Sequence, residues 1–233
     1  MLPLRDNAPT RRFPVVTVAI IVANFAVWIV WQKAGTGSGF TQSLVDGGYF
    51  PCEVVNDCRA PGGSWWTDVF TSMFMHGGWE HILGNMLFLW IFGNNVEDAM
   101  GRVRFSVFYI LGGLAATASQ TFVTLAFGSD QAARVPNIGA SGAIAAVLGA
   151  YLVLLPRARV FTYVLPFFFF EIPAVFFLGF LFLFQLFVGS QSLVQPEQGG
   201  GVAFFAHIGG FLFGLLAVWA FTAGRQKPLR PAY

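Results

Sequence analysis

The sequence predicts an all-α, polytopic membrane protein built as a bundle of six transmembrane helices. Three observations lead to this class. Of the 233 residues, 56% are hydrophobic and only 10% are charged, whereas a soluble domain carries roughly a quarter charged residues. Apolar runs long enough to cross about 30 Å of hydrocarbon recur along the chain. Basic residues concentrate in alternate connecting segments, which is typical of a multi-pass membrane protein.

Six apolar runs define the predicted helices. The first run follows three arginines but exceeds the roughly 7 to 15 apolar residues of a signal peptide, so we expect an uncleaved first helix. The runs are 14–32, 80–96, 104–127, 139–155, 172–189 and 202–222. The predicted organisation is an N-terminal segment at 1–13, the six-helix domain at 14–224 and a C-terminal tail at 225–233.

The distribution of charge predicts the orientation of the chain. With the N-terminus in the cytoplasm, ten of the 13 lysines and arginines fall in cytoplasmic segments and three fall outside. This asymmetry follows the positive-inside rule and places both termini in the cytoplasm. The expected location is the inner membrane of a prokaryotic cell, which the protein crosses several times. The net charge of +2 and the lack of a nucleic-acid-binding motif argue against nucleic acid as a partner.

The long loop at 33–75 lies outside in this topology and contains both cysteines, Cys52 and Cys58. An oxidising compartment would permit a disulfide between them, and the sequence leaves that pairing open. Two cysteines without a nearby pair of histidines argue against a structural zinc site. We expect neither a metal nor a cofactor.

Four polar residues are predicted to meet inside the membrane. The second, fourth and sixth helices run in the same direction, so their N-terminal ends share one depth. His81 and Asn85 lie at the start of the second helix, Ser141 at the start of the fourth and His207 near the start of the sixth. Polar side chains at that depth imply a water-filled cavity enclosed by the other helices.

Small residues predict that the fourth and sixth helices pack closely. A small residue at every fourth position forms a ridge along which two backbones can approach in lipid. Ser141 and His207 each adjoin the top of such a ridge, so the hydroxyl can come within reach of the imidazole. The ridges are Gly142, Ala146 and Ala150 on the fourth helix and Ala206, Gly210 and Gly214 on the sixth.

These side chains can perform acyl transfer. Serine needs a base to take its proton, and histidine is the usual base near neutral pH. The acidic residues fall in loops or at the cytoplasmic side, so we expect a Ser141–His207 dyad without a carboxylate. The Ser141 backbone N–H at a helix N-terminus, with His81 and Asn85, can donate to the oxyanion of the tetrahedral intermediate.

Four short motifs resemble the rhomboid family of intramembrane serine proteases. They are GxSG within "NIGASGA", HxxxN in "HILGN", AHxxGxxxG in "AHIGGFLFG" and ExxxGxxxF in "EDAMGRVRF". Their order and topology make the resemblance specific, and it covers the second to sixth helices.

The resemblance implies a serine endopeptidase with Ser141 and His207 as its dyad and His81 and Asn85 at the oxyanion. Gly139, Gly142, Ala206 and Gly210 are then the small residues that support the site. The implied partners are the lipid bilayer and membrane-protein substrates, which are cut in or near a transmembrane segment. The fifth helix lacks small-residue ridges, and by resemblance it marks the side on which a substrate enters.

Two departures from the family pattern and two alternatives remain. Position 145, one turn after the serine, is alanine where family members often have an aromatic residue, and Trp66 is followed by threonine where they often have arginine. The alternatives are a catalytically inactive rhomboid-like protein that binds membrane clients and, less favoured, a small-solute transporter. The oligomeric state is left open.

Overall fold

The computed structural model describes residues 1–58, 64–164, 166–194, 203–225 and 228–229. These residues are mostly helical. The helices are α1 Val15–Ala26, α2 Gly37–Gly47, α3 Trp65–Ser72, α4 Trp79–Phe88, α5 Asn94–Met100, α6 Arg102–Phe127, α7 Asp130–Ala133, α8 Ser141–Leu154, α9 Ala174–Val194 and α10 Phe204–Thr222. The strands are β1 Leu2–Asp6, β2 Arg159–Val164 and β3 Phe168–Pro173.

Two of the predicted helices contain π-helical turns. The helix that begins with α1 continues through a π-helical segment, Val27–Trp31. Another such segment, Leu89–Gly93, joins α4 to α5, so that one helix runs over 79–100. It ends at Gly101, which has a φ of +77°. Glycine adopts this conformation without strain, and this allows α6 to begin at the very next residue.

Three of the described helices are long and apolar enough to cross a membrane: Arg102–Phe127, Ala174–Gln191 and Phe204–Thr222. The apolar helices Val15–Trp31 and Ser141–Leu154 are shorter. At about 1.5 Å per residue, α8 is only about 21 Å long and ends short of a full hydrocarbon thickness. A total of six crossings therefore stays a prediction.

Helix α8 packs against both α6 and α10, which also pack against each other, so these three helices form the centre of the described bundle. A Cβ atom at Gly210 would overlap the carbonyl oxygen of Gly142, and one at Gly214 would overlap that of Ala146. The two contacts advance in the same direction along both helices, so α8 and α10 run parallel. We call the end at which α4, α8 and α10 begin the loop side, and the opposite end, where β1 lies, the terminal side.

A three-stranded antiparallel sheet covers the terminal side, and the all-α prediction missed it. Strand β2 is central, with Leu2 of β1 opposite Tyr163 and Arg159 opposite Pro173 of β3. The sheet ties the first residues of the chain to the segment between α8 and α9. Residues 159–164 are rich in β-branched and aromatic side chains, which favour a strand once a partner is available.

The carboxyl groups of Glu97, which is buried, and Asp6, which is half-buried, form what we call the terminal-side network. Glu97 accepts hydrogen bonds from the backbone N–H groups of Val16 (3.0 Å) and Thr17 (2.8 Å) and from the Thr17 hydroxyl (2.8 Å). Asp6 accepts one from the Tyr151 hydroxyl and one from the Asn95 amide at 3.0 Å. These bonds join β1 and the start of α1 to α5 and α8. Burial raises the pKa of Asp6 to about 6, against the opposing effect of the Tyr151 hydrogen bond.

The loop at 33–75 folds onto the loop side of the bundle. Cys52 and Cys58 form a disulfide with their Cα atoms 5.5 Å apart, which settles the pairing that the sequence left open. Tyr49 exchanges backbone hydrogen bonds with Asn137. The segment that leads into α8 is thereby fixed to this loop.

Candidate active site

Ser141 and His207 are brought together by the parallel packing of α8 and α10. Ser141 is the first residue of α8, and His207 lies in the first turn of α10. The His207 Nε2 atom is 2.8 Å from the Ser141 Oγ atom. With Nε2 unprotonated, the hydroxyl donates to the ring, which is the arrangement that general-base activation of a serine requires.

Gln185 of α9 contacts the other nitrogen of the same histidine. Its Oε1 atom lies 3.2 Å from His207 Nδ1. A carbonyl oxygen can only accept, so Nδ1 carries the proton and Nε2 keeps a lone pair for the Ser141 hydroxyl. Sequence reasoning missed Gln185. Its one signal was a polar residue within the apolar run "AVFFLGFLFLFQLF".

His81 has its ring orientation fixed by the turn before α4. The Gly77 backbone N–H donates to His81 Nδ1 at 3.3 Å. Nδ1 is therefore the acceptor and Nε2 carries the proton, so Nε2 is a hydrogen-bond donor. This nitrogen lies beside Gly139, on the approach to Ser141.

Gly139 separates His81 from Ser141, and both its backbone conformation and the space around it favour glycine. Its φ is +125°, a conformation that side chains rarely adopt. A Cβ atom there would lie 2.9 Å from His81 Nε2 and 3.5 Å from Ser141 Oγ. The Gly139 N–H donates to the Ser72 carbonyl at 2.9 Å, so α3 holds this bend in place.

Asn85, one turn after His81 on α4, has a free donor. Its Nδ2 atom is buried and has no hydrogen-bond partner among the described residues. Leaving such a group unpaired costs about 1 to 3 kcal/mol. The cost is understandable where a ligand supplies the missing acceptor.

A cavity of about 200 Å³ separates α4 from α9 and reaches the serine. Ala145 is part of its wall, so the small residue at this position leaves space next to the dyad. The polar lining groups are those of the site. The cavity is lined by Asn85, Phe88, Ser141, Ile144, Ala145, Leu148, Leu178, Leu181, Phe182, Gln185, His207 and Phe211.

The remaining supporting residues act through close packing. A Cβ atom at Gly142 would lie 2.5 Å from the Ala116 Cβ atom of α6 and 3.8 Å from the Ala206 carbonyl oxygen.

Gln120 of α6, which the sequence did not single out, accepts from the backbone N–H groups of Phe205 (3.1 Å) and Ala206 (3.2 Å). This cap fixes the start of α10 and hence the position of His207.

His76 lies behind His81 and is fully buried. The Gln32 side chain both donates to the His76 carbonyl and accepts from its N–H, each at 2.8 Å. The His76 ring meets the His81 ring edge to face, with centroids 5.0 Å apart. Burial, with a smaller effect of His81, lowers the pKa of His76 to about 3. It is therefore a neutral ring that packs against His81.

Among the described residues, no group of three or more His, Cys, Asp or Glu side chains is arranged to hold a metal ion.

The fold and the site together define a polytopic helical membrane protein with a serine–histidine pair beside an internal cavity. A family model described as Rhomboid domain matches residues 62–224. The chain belongs to the rhomboid family.

Three curated relatives show how far the similarity extends. The chain is 30% identical over 161 residues to presenilin-associated rhomboid-like protein A, mitochondrial, of Danio rerio, covering 66% of this chain and 37% of that protein. It is 29% identical over 163 residues to rhomboid protein 1, mitochondrial, of Saccharomyces cerevisiae, covering 68% and 43%. For RHOMBOID-like protein 12, mitochondrial, of Arabidopsis thaliana, the identity is 27% over 216 residues, covering 88% and 57%. The chain thus spans less than two thirds of each relative.

The relatives contradict one expectation from the sequence, the prokaryotic inner membrane. All three are named as mitochondrial proteins of eukaryotes. The placement was wrong because the positive-inside pattern reports only which segments share a side of a membrane. It carries no information about which membrane that is.

Proposed function

We propose that this protein is an intramembrane serine endopeptidase that hydrolyses peptide bonds in or near transmembrane segments of membrane proteins. The observation that carries the proposal is the 2.8 Å contact between Ser141 Oγ and His207 Nε2 at the wall of an internal cavity. Family membership supports it, and so does the unpaired amide of Asn85 facing the same cavity.

In the proposed mechanism, Ser141 Oγ attacks the scissile carbonyl carbon while His207 Nε2 takes its proton. The oxyanion accepts from the Ser141 backbone N–H, His81 Nε2 and Asn85 Nδ2. His207 then gives its proton to the departing amine, leaving an acyl ester on Ser141. A water molecule, deprotonated by His207, attacks the ester and releases the new carboxyl group, which restores the serine.

The lipid bilayer and single transmembrane segments are the proposed partners. The bundle spans the membrane with six helices within 14–224, and a substrate segment enters between α4 and α9, where the cavity lies. The outward face of α9 supports this route, because Phe176, Phe180 and Phe184 are exposed by 50% or more. For the membrane itself, the names of the relatives support mitochondria, and imaging of a tagged protein tests that location.

The test replaces each half of the dyad separately. Ser141→Ala and His207→Ala should each abolish cleavage of a model transmembrane substrate and labelling by a fluorophosphonate probe, because each removes nucleophile activation. Both variants should accumulate and melt as the wild type does. Ser106→Ala, which changes a half-buried serine on α6 whose hydroxyl donates to the Arg102 carbonyl, is the matched control and should retain full activity.

Near-wild-type turnover in either dyad variant would refute the dyad. If the wild-type protein retains a transmembrane client but is neither labelled nor active, the inactive client-binding protein replaces the protease.

A further inference from the structure

Gln185 stands out on α9. Its neighbours along the helix are leucine and phenylalanine, and it is a half-buried residue whose side chain faces α10 and the cavity. Phe184 beside it is 50% exposed and Leu183 is 64% exposed. A polar side chain on the inner face of an apolar helix is costly without a partner, and His207 Nδ1 at 3.2 Å is that partner.

The contact decides which nitrogen of His207 can act as a base. A neutral imidazole carries one proton, and only the Nδ1–H form leaves Nε2 free to accept from the Ser141 hydroxyl. In a low-dielectric site an acceptor at Nδ1 favours that form, and it also stabilises the imidazolium that arises when the serine is deprotonated. In the part of the chain that the structure describes, no carboxylate is hydrogen-bonded to His207, and the Gln185 amide oxygen occupies the place that one would take.

We infer that Gln185 is a positioning residue for the dyad: its side-chain oxygen holds His207 in the Nδ1–H form and so makes Nε2 the base. This inference rests on the proposed protease function. Gln185 acts through His207, whereas His207 and Ser141 meet the substrate.

The Gln185–His207 hydrogen bond also makes the geometry of the dyad depend on how α9 packs against α10. Phe182, one turn before Gln185, stacks on Phe211 of α10 with ring centroids 4.6 Å apart. The Gln185–His207 bond forms only while this packing holds α9 against α10. A movement of α9 away from α10 therefore removes the acceptor from Nδ1.

Two substitutions separate the hydrogen bond from the packing. Gln185→Met keeps the length of the side chain and loses the acceptor, whereas Gln185→Glu keeps an oxygen at the same reach. We expect Gln185→Met to lower both kcat and the rate of fluorophosphonate labelling by about 10- to 100-fold, with KM changed little, since a hydrogen bond to a group that becomes charged is lost. Gln185→Glu should stay within a few-fold of wild type. Leu183→Met, on the outward face of the same helix, is the control and should change neither rate.

A spectroscopic measurement reads the tautomer directly. The chain contains only three histidines, so ¹⁵N-histidine spectra of the detergent-solubilised protein are simple, and His207→Gln assigns the signals. His207 should show a protonated Nδ1 and an unprotonated Nε2 in the wild type and in Leu183→Met. Gln185→Met should show a mixture of the two tautomers.

Wild-type labelling and an unchanged His207 spectrum in Gln185→Met would overturn the inference. So would a Gln185→Glu variant as slow as Gln185→Met, because shape rather than the acceptor would then matter. The proposed function fails separately, if wild-type Ser141 is not labelled at all, and the spectrum still reports on the tautomer in that case.

Discussion

At the terminal side of the bundle, Glu97 accepts three hydrogen bonds, and Asp6 accepts two from the Tyr151 and Asn95 side chains, so both carboxyl groups have partners within the protein. At the loop side, Asn85 keeps an amide nitrogen with no partner among the described residues, beside a cavity. Both ends bury polar side chains in the same helices. The two carboxyl groups and the Asn85 amide differ in whether the protein itself supplies their hydrogen-bond partners.

This difference in hydrogen bonding distinguishes side chains that stabilise the fold from side chains that are available to a reacting group. A buried polar group with all its partners fixes the elements that it joins, and removing it leaves those partners unsatisfied. A buried donor without a partner lowers the stability of the fold, and next to a cavity that reaches Ser141 a reacting group can supply the missing acceptor. We therefore expect substitutions at the terminal side to change the melting temperature, and those at the loop side to change turnover.

Two asparagines of the same continuous helix give the sharpest test of the comparison. Asn85→Ala should lower kcat by about 100- to 1,000-fold, or roughly 3 to 4 kcal/mol, because it removes one oxyanion donor. KM and the melting temperature should change little. Asn95→Ala is the matched substitution in the terminal-side network, where the amide donates to Asp6 and to the Asn94 side chain. It should lower the melting temperature and leave kcat of the folded protein nearly unchanged.

Steady-state kinetics and thermal melting on both purified variants decide the matter. A lowered melting temperature with unchanged kcat in Asn85→Ala would make Asn85 a structural cap and remove it from the oxyanion site.

Glu97 tests the terminal side alone. Glu97→Ala should destabilise the fold by about 3 kcal/mol, since it leaves three donors near Val16 and Thr17 without their charged acceptor. Glu97→Gln, which presents an N–H group to one of those donors, should be intermediate. Thermal melting in one detergent measures the stability of both Glu97 variants. Glu80→Ala, at the exposed start of α4, is the control, and its change in melting temperature should be near zero. Equal melting temperatures for Glu97→Ala and Glu80→Ala would contradict the structural role.

The smallest expected effect is the contribution of Asp6 to the pH dependence of folding stability. Burial raises its pKa from 3.8 to about 6, so the folded protein binds this proton more tightly than the unfolded chain does. The contribution of Asp6 to stability therefore falls as the pH rises from about 4 to about 6 and is constant above that range. Asp6→Asn, which keeps an oxygen for the Tyr151 hydroxyl, removes this dependence.

Melting curves at pH 5 and pH 7.5 measure the effect. Relative to wild type, Asp6→Asn should gain stability at pH 7.5 compared with pH 5. An identical difference between the two proteins at both pH values would show that Asp6 titrates normally.

The sequence located the apolar helices well. The run at 202–222 became Phe204–Thr222, and the run at 139–155 became Ser141–Leu154. These segments are recognisable because length and apolar composition, which membrane solvation demands, are local properties. The small residues beside Ser141 and His207 likewise indicated that two helices approach closely. Glycine and alanine have little or no side chain to keep two backbones apart, and they can be identified directly in the sequence.

Other features came only from the tertiary structure. Strand β1 pairs with residues more than 150 positions away, and no local pattern reveals such a partner. In the sequence, no contact partner distinguishes Gln185 and Gln120 from other polar residues. Because α9 packs against α10, the Gln185 oxygen contacts His207. Because α6 packs against α10, the Gln120 oxygen accepts from the backbone at the start of α10. The sequence by itself indicated which apolar segments form helices and which side chains are the candidates for a catalytic set. The tertiary structure decided which nitrogen of each histidine is free to act, because that depends on partners from other helices.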